Sequence, residues 1–272
     1  MTASGAAPAA PNCFAPGTVL PTAAEAPGGT ARALAEALLD GDLAAATKLL
    51  ETDSALAKVR VGKDADMLVV ALATCRHDAV DLLLDKGAPV NGLTPGVPLT
   101  VALRANEPWY AERLLKAGAS PNPKNSPLGP ITTAIALGSP GGVRLLLDHG
   151  TDVNARERTG NTALLTALDM DQFATAELLL ARGADPWAID SSGGNLGSSV
   201  TRPMVSTDPA QAAAQQRLAA RLASIGWPDP VPDPRAVKAL ALDGAWPPAG
   251  ARGARPVPAE VLDIMRANAA AQ

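Results

Sequence analysis

Four segments of this chain end in the same way, with two adjacent leucines followed by a glycine three residues after the second. They occupy residues 80–91, 111–122, 143–154 and 176–187. Their glycines, Gly87, Gly118, Gly150 and Gly183, are separated by 31, 32 and 33 residues. A nearly constant period of this length indicates a stack of short repeated units rather than one irregular globular core.

The residues of one unit predict its local structure. Val143, Leu146 and Leu147 are spaced i, i+3 and i+4, so they form one apolar stripe on a helix. Gly150 follows, at a position where a left-handed residue can end a helix. A polar stretch then turns back to Thr162, a candidate cap for the next short helix. Each unit therefore reads as helix, tight turn, helix and protruding loop, and several units must stack to bury both helices.

These units resemble the ankyrin-repeat family, whose unit of about 33 residues begins TPLHxA and ends in a GADVN-like loop. The corresponding starts lie at 66–71, 97–102, 129–134 and 162–167, and each keeps an apolar third position and the final Ala. The family's His is replaced by Val69, Thr100, Thr132 and Leu165. The hydrogen bonds by which that His ties neighbouring loops are therefore not expected. The resemblance implies an all-α ankyrin-repeat solenoid of helix-turn-helix units with protruding hairpin loops.

Three regions are predicted along the chain. Residues 1–30 are rich in Ala, Pro and Gly and lack apolar periodicity, so a flexible segment is expected. Residues 31–226 form the repeat domain, with about five or six units of which the first and last are degenerate. In the last unit the second helix is expected over 217–226. Residues 227–272 form a C-terminal cap with short helices near 235–243 and 258–270.

Composition narrows the classes of function. The chain is 47% hydrophobic but only 3% aromatic, so its core must consist mainly of Ala, Leu and Val. A net charge of −4 argues against nucleic-acid binding. There is no run of about 18 apolar residues, so membrane insertion is not expected. The bias towards Arg, Ala, Gly and Pro is typical of a GC-rich bacterial genome. We expect the protein to be a monomer that binds another protein.

The two cysteines, Cys13 and Cys75, are expected to be free thiols in a reducing cytoplasm. The first residues lack the basic and apolar regions of a secretory signal, which also favours the cytoplasm. The alternative is the periplasm, if the true start or a leader is missing. A bridge between the two cysteines is expected only in an exported protein.

No common catalytic motif is present, so we predict that the chain is not an enzyme and needs no cofactor or metal. Cys75 and His77 lie two residues apart but in an exposed turn, without an evident third partner. The pairs Asp64/Asp66 and Asp169/Asp171 fit turns and helix caps better than a general acid–base pair. An unfamiliar enzyme remains the least favoured hypothesis.

In the resembled family, partners bind in a concave groove formed by loop tips and the exposed side of the first helix of each unit. Mapping that groove onto this chain gives the candidate partner-binding residues Arg104, Lys124, Asn125, Leu137, Arg156, Glu157, Arg158 and Met170. Trp109, on the outward side of its second helix, is a further candidate. The positive charges among these residues would steer an acidic partner. The predicted function is a protein–protein interaction module, with an inhibitor or immunity-type role as one form of it. The alternative is a structural or assembly scaffold.

The four tryptophans receive separate interpretations. Trp109 is either an exposed anchor for a partner, or it packs on Pro108 or under the N-terminal segment. Trp187 replaces the Asn of the family's loop and is expected to stabilise its unit. Trp227 and Trp246 lie in the Pro-rich tail and are expected to pin it to the last repeats.

Overall fold

The structure is a computed structural model that describes residues 13–124, 129–157, 159–203 and 207–270. The helices are α1 Thr30–Leu39, α2 Leu43–Thr52, α3 Met67–Ala73, α4 His77–Asp85, α5 Val97–Ala102, α6 Trp109–Lys116, α7 Pro130–Ala136, α8 Pro140–Asp148, α9 Ala163–Asp169, α10 Phe173–Ala181, α11 Leu196–Thr201, α12 Pro209–Ile225, α13 Pro234–Leu242 and α14 Ala259–Ala270. The remaining elements are the strands β1 Arg60–Val61 and β2 Ala65–Asp66 and two 3-10 helices, Ala23–Glu25 and Ser54–Lys58. The chain divides into two compact units between Ala134 and Ile135, and each is described by itself.

Unit 1 contains the helix pairs α1/α2, α3/α4 and α5/α6. The antiparallel strands β1 and β2 form a hairpin before α3, with Arg60 opposite Asp66. Leucines of successive pairs fill the core, and Leu34, Leu72 and Leu114 have no exposed surface. The aliphatic core expected from the composition is therefore present here.

Unit 2 contains the pairs α9/α10 and α11/α12, preceded by α8 and followed by α13 and α14. The hairpins before α9 and α11 are reduced to single bridges, Arg156 with Thr162 and Ile189 with Asn195. Helix α12 begins at Pro209, capped by the Asp208 side chain. It is therefore longer than the 217–226 helix predicted, because residues 209–216 belong to the same helix.

The repeated glycines end the second helix of each pair, as their spacing predicts. Gly87, Gly118, Gly150 and Gly183 have φ values of 81°, 94°, 83° and 90°. Only glycine enters this left-handed region without a Cβ clash. The fixed interval between these glycines therefore sets the interval between hairpins.

Four of the tight turns inside the helix pairs also contain a left-handed residue. Gly41 and Gly138 occupy this position in two pairs, with φ of 76° and 61°. In two other pairs it is filled by Cys75 (φ 57°) and Asp171 (φ 53°), although an L-residue is strained there. Each of these two side chains makes a long-range bond, described below.

Polar side chains cap the first helix of several pairs. The Thr162 hydroxyl accepts a hydrogen bond from the Leu165 N–H at 3.3 Å, which confirms the predicted cap. The Asp66 carboxylate accepts from the N–H groups of Leu68 and Val69. Its second oxygen accepts from the Leu93 N–H of the next loop at 2.8 Å, so one carboxylate joins two repeats.

Residues 13–29 were expected to be flexible, and the structure instead packs them on unit 1. Phe14 is 3% exposed and pairs antiparallel with Ala105. The Ala15 N–H donates to the Arg104 carbonyl at 2.9 Å, and the Asn106 N–H donates to the Cys13 carbonyl at 2.6 Å. Composition missed this because one buried aromatic and main-chain hydrogen bonds hold the segment, without any periodic pattern. Residues 1–12 lie outside the described ranges.

The expectation of free thiols is wrong, because Cys13 and Cys75 form a disulfide with Cα atoms 5.7 Å apart. The bond joins the N-terminal segment to the tight turn between α3 and α4. The two cysteines are 62 residues apart in sequence, so their proximity depends on the packing of that segment.

The C-terminal tail packs on unit 2 around three tryptophans. Trp187 and Trp227 are stacked with ring centroids 4.5 Å apart, and Trp246 meets both rings edge-on. The Trp187 indole donates to the Arg252 carbonyl at 3.0 Å, and the Trp246 indole donates to the Trp187 carbonyl at 3.2 Å. All three rings are buried. The expected roles of Trp187 in its unit and of the other two in pinning the tail are confirmed.

Candidate partner-binding surfaces

The predicted partner-binding residues fall in both units. Arg104, Trp109 and Lys124 belong to unit 1, and Leu137, Arg156, Glu157 and Met170 to unit 2. Asn125 and Arg158 lie outside the described residues. Lys124 is exposed, as expected of a loop tip.

Arg156 was predicted to bind a partner, and its side chain is instead bonded within the chain. Its guanidinium donates to the carbonyl oxygens of Gly160, in its own loop, and of Ile189, in the next loop at 3.0 Å. Burial lowers the pKa of Arg156, while the nearby carboxylates of Asp185, Glu260 and Asp190 act in the opposite direction. The neighbouring Glu157 is half-buried, and its N–H donates to the Asn161 carbonyl at 2.9 Å. This stretch stabilises the loops.

Arg60 bonds one loop to the next in unit 1, as Arg156 does in unit 2. It lies opposite the cap of α3, as Arg156 lies opposite the cap of α9. Its guanidinium donates to the Leu93 carbonyl at 3.1 Å and to the Thr94 hydroxyl at 3.0 Å in the next loop. These arginines tie neighbouring loops together in a chain that lacks the family's His. An arginine repeated before the helix cap is the sequence signal for this role.

Trp109 is half-buried and belongs to a cluster of three aromatic rings. Its ring stacks on His77 with centroids 3.8 Å apart, and the His77 Nε2 lies 3.0 Å from the Glu107 carboxylate. Buried Tyr110 meets both rings edge-on. Burial, with the negative charges of Glu107 and Asp78, raises the pKa of Tyr110 to about 12. The cluster joins the turns of two adjacent repeats.

The N-terminal segment lies against the backbone beside Arg104, a predicted partner-binding residue. The Arg104 carbonyl accepts from Ala15, Ala105 pairs with Phe14, and Cys75 is bonded to Cys13. The N-terminal segment therefore lies where a partner was expected. Because Cys75 is oxidised, the sequence pair Cys75 and His77 does not supply a thiolate nucleophile.

The C-terminal tail packs on glycines in the loops of unit 2. Val261 and Ile264 of α14 lie 3.6 Å from the place that a Cβ on Gly160 would take. A Cβ on Gly193 would clash with the Pro234 carbonyl at the start of α13. A partner was expected to bring acidic groups near Arg156. Glu260 of the chain itself lies near Arg156. Sequence reasoning missed this because the tail's helices carry no repeat pattern.

The ends of α7 and α9 in unit 2 remain accessible. Met170 is 46% exposed, and Leu137 is half-buried. The Gln172 side-chain amide donates to the Ile135 carbonyl at 2.6 Å, so the turns that carry Leu137 and Met170 are bonded to each other. The other large hydrophobic side chains exposed in the described part of the chain are Val19 and Leu240. We call the pair Leu137 and Met170, with the bond between their turns, the apolar patch.

Asp171 holds the turn beside this patch. Its carboxylate lies 2.7 Å from the Arg202 guanidinium, which also donates to the Leu168 carbonyl at 2.8 Å. The Asp171 side chain is 8% exposed and that of Arg202 is 38% exposed, so the carboxylate is largely removed from water while the guanidinium keeps contact with it. The bond gives a physical reason for an aspartate in a left-handed turn, and it fixes the position of Met170.

Among the residues that the structure describes, no three His, Cys, Asp or Glu side chains lie close enough to hold a metal ion. None of the helices in the described ranges combines the length and the apolar character needed to cross a membrane.

Paired helices, left-handed turns and hairpins that bond to the next hairpin define a helical-repeat protein. The solved structure of the ankyrin repeat domain of Bcl-3 superposes with a TM-score of 0.59, covering 86% of this chain and 97% of that one. The sequences are 20% identical, so this likeness concerns the fold. The ankyrin-repeat model, with three copies, matches residues 123–190. The chain therefore contains ankyrin repeats over residues 123–190, as the motifs predicted, and ankyrin repeats are protein–protein interaction modules.

Curated relatives share parts of their sequence with this chain. Zygote-specific protein 3 of Chlamydomonas reinhardtii is 35% identical over 112 residues, which are 40% of this chain and 30% of that protein. Putative ankyrin repeat protein R664 of Acanthamoeba polyphaga mimivirus is 35% identical over 69 residues, or 25% of this chain and 43% of that protein. The chain thus spans less than half the length of these relatives.

Proposed function

We propose that this chain binds a partner protein through the apolar patch of unit 2. The observation that carries the proposal is the 46% exposure of Met170 on a turn that is fixed by its neighbours. A flexible thioether on a rigid support adapts to an apolar partner surface at low entropic cost. Leu137 adds a second apolar contact on the adjoining turn.

The Cys13–Cys75 disulfide supports an oxidising compartment for this binding, because disulfides persist there and are rare in the cytoplasm. We therefore favour the periplasm over the cytoplasm. An inhibitor or immunity-type protein would form one stoichiometric complex, whereas an assembly scaffold would recover several partners.

The test is quantitative affinity capture of tagged protein from the cells that naturally produce it. Met170→Arg and Leu137→Arg each place a charge in the patch and should abolish capture of the partner. Leu240→Arg is the matched control, since Leu240 is 38% exposed on α13 of the same unit. It should capture the partner as wild type does. Circular dichroism must first show that all three variants keep wild-type helix content.

Two results would overturn the proposal. If both patch variants retain every partner, binding lies elsewhere on the chain. If wild-type protein captures no partner at a stoichiometric level, the interaction function itself is wrong.

A further inference from the structure

The N-terminal residues 13–22, which we call the strap, bind unit 1 as an added peptide would. The Ala15 N–H donates to the Arg104 carbonyl, and the Asn106 N–H donates to the Cys13 carbonyl. These bonds place Phe14 against Ala105 and bury its ring. Extended peptides that dock on proteins commonly combine main-chain hydrogen bonds with one buried side chain in this way.

The main-chain hydrogen bonds between the strap and residues 104–106 involve the first residues of the strap. A turn follows, in which the Thr18 hydroxyl donates to the Ala15 carbonyl at 2.7 Å. Val19 is 91% exposed and therefore contributes little packing. Beyond the strap, Glu25 is anchored separately, since its carbonyl accepts from the Gly62 N–H at 3.1 Å. Residues 13–15 can thus leave their site while the chain stays anchored near Glu25.

The backbone of Cys75 is strained at this turn, and its sulfur forms the disulfide with Cys13. Gly41 and Gly138 fill the same left-handed position in other pairs, and Asp171 fills it with an ion-paired side chain. A cysteine has neither the conformational freedom of glycine nor the ion pair of Asp171. The bond to Cys13 is therefore the physical reason for its presence. The disulfide closes the strap onto the site.

The disulfide lies beside an open cleft. Both cysteines are half-buried, and a cleft of about 470 Å³ opens beside Cys75, lined by Arg76, His77, Asp78 and Glu107. A small dithiol fits a cleft of this size, which gives it a path to the Cys75 end of the bond.

We propose that residues 104–106 and the site that buries Phe14 form a peptide-binding site, filled by the chain's own strap and kept closed by the Cys13–Cys75 disulfide until a dithiol reduces it. The partner that this site fits is an extended protein segment with an aromatic side chain at the Phe14 position. The site is distinct from the apolar patch and does not depend on it.

Opening is a balanced thiol–disulfide exchange. A dithiol thiolate attacks one sulfur of the Cys13–Cys75 bond and forms a mixed disulfide, which releases the other cysteine as a thiolate. The second thiol of the reagent then displaces the remaining cysteine. The protein gains two electrons and two protons, and the dithiol is oxidised to its cyclic disulfide.

The experiment measures binding of a fluorescein-labelled peptide that copies residues 13–22 with Cys13→Ser, using the full chain and fluorescence anisotropy. Oxidised wild type should not bind it. The Cys13→Ser protein should bind it weakly, because its own tethered strap still competes at a high effective concentration. Adding Phe14→Ala to that variant weakens the competitor and should tighten peptide binding about tenfold. Val19→Ala in the same background is the matched control and should change nothing.

A second readout separates local opening from unfolding. Reduction of wild type with dithiothreitol should accelerate hydrogen exchange at the Ala15 and Asn106 amides. The Glu157 amide, bonded to the Asn161 carbonyl in unit 2, should keep its protection. The proposal is overturned if the peptide binds oxidised and reduced protein equally, or if folded Cys13→Ser/Phe14→Ala protein does not bind it. Loss of protection at Glu157 together with Asn106 also overturns it. None of these outcomes involves Met170 or Leu137, so they leave the function proposed for the patch untouched.

Discussion

The guanidinium of Arg156 donates to the carbonyl oxygen of Ile189 at 3.0 Å, a bond between two loops that are 33 residues apart. The same guanidinium bonds the Gly160 carbonyl within its own loop. One side chain therefore fixes the shape of a hairpin and its position against the next hairpin. Arg60 repeats the arrangement in unit 1 with Leu93 and Thr94.

Arg156→Ala should lower the free energy of unfolding by about 1–3 kcal/mol, because the carbonyls of two buried residues, Gly160 and Ile189, lose a charged donor. Urea denaturation followed by circular dichroism measures this change. Arg144→Ala is the control, since Arg144 is exposed on α8, and it should shift the free energy by less than about 0.5 kcal/mol. Equal effects of the two substitutions would contradict the structural role of Arg156.

Gly197→Ala should destabilise unit 2 by about 1–3 kcal/mol through overpacking. A Cβ at residue 197 would clash with the indole of Trp227, which is buried and cannot swing away. Tryptophan fluorescence should report disturbance of the three-ring cluster. Gly141→Ala is the matched control on α8, where a Cβ meets nothing within 4 Å. It should raise stability by about 0.5–1 kcal/mol through helix propensity, and the opposite order of the two variants would refute the packing argument.

Asp66→Ala should cost about 1–3 kcal/mol, since the N–H groups of Leu68, Val69 and Leu93 lose their acceptor. Asp66→Asn keeps a capping oxygen and should cost less. Denaturant titrations at neutral pH would rank the two variants, and equal losses would argue against the cap.

The same carboxylate predicts a pH dependence. Burial raises the pKa of Asp66 above its ordinary value of 3.8, against the lowering effect of its backbone hydrogen bonds. Between 3.8 and the raised pKa, the folded state holds more protons than the unfolded state, so stability falls as the pH rises through this window. The stability of Asp66→Asn relative to wild type should therefore increase as the pH rises from below 3.8 towards neutrality. Measurement of unfolding free energies across this window tests the sign, and a constant difference would contradict it.

Cys75 offers a test of backbone strain that is independent of the disulfide. In a Cys13→Ser background, Cys75→Gly should be more stable than Cys75→Ser by about 1 kcal/mol, because glycine adopts the φ of 57° without a Cβ penalty. Thermal unfolding of the two double variants measures the difference. A serine variant as stable as the glycine variant would show that the turn can relax to an unstrained conformation.

The repeats themselves follow from the sequence alone. The interval between Gly87, Gly118, Gly150 and Gly183 places the helix ends, and the Thr162 cap is readable from its neighbours. These features are local, because a helix stripe, a left-handed end and a cap depend on residues a few positions apart. Local rules repeated at a fixed period therefore determined the repeat fold.

Only the tertiary structure decided which surfaces remain available. The bond between Cys13 and Cys75, the direction of Arg156 and the packing of Trp227 on Gly197 all join residues that are distant in sequence or belong to segments without a period. Such contacts depend on which faces meet after the helices have formed, and no local pattern encodes that. The strap lies against residues 104–106 in unit 1 and the tail packs on Gly160 and Gly193 in unit 2, whereas Met170 and Lys124 stay exposed.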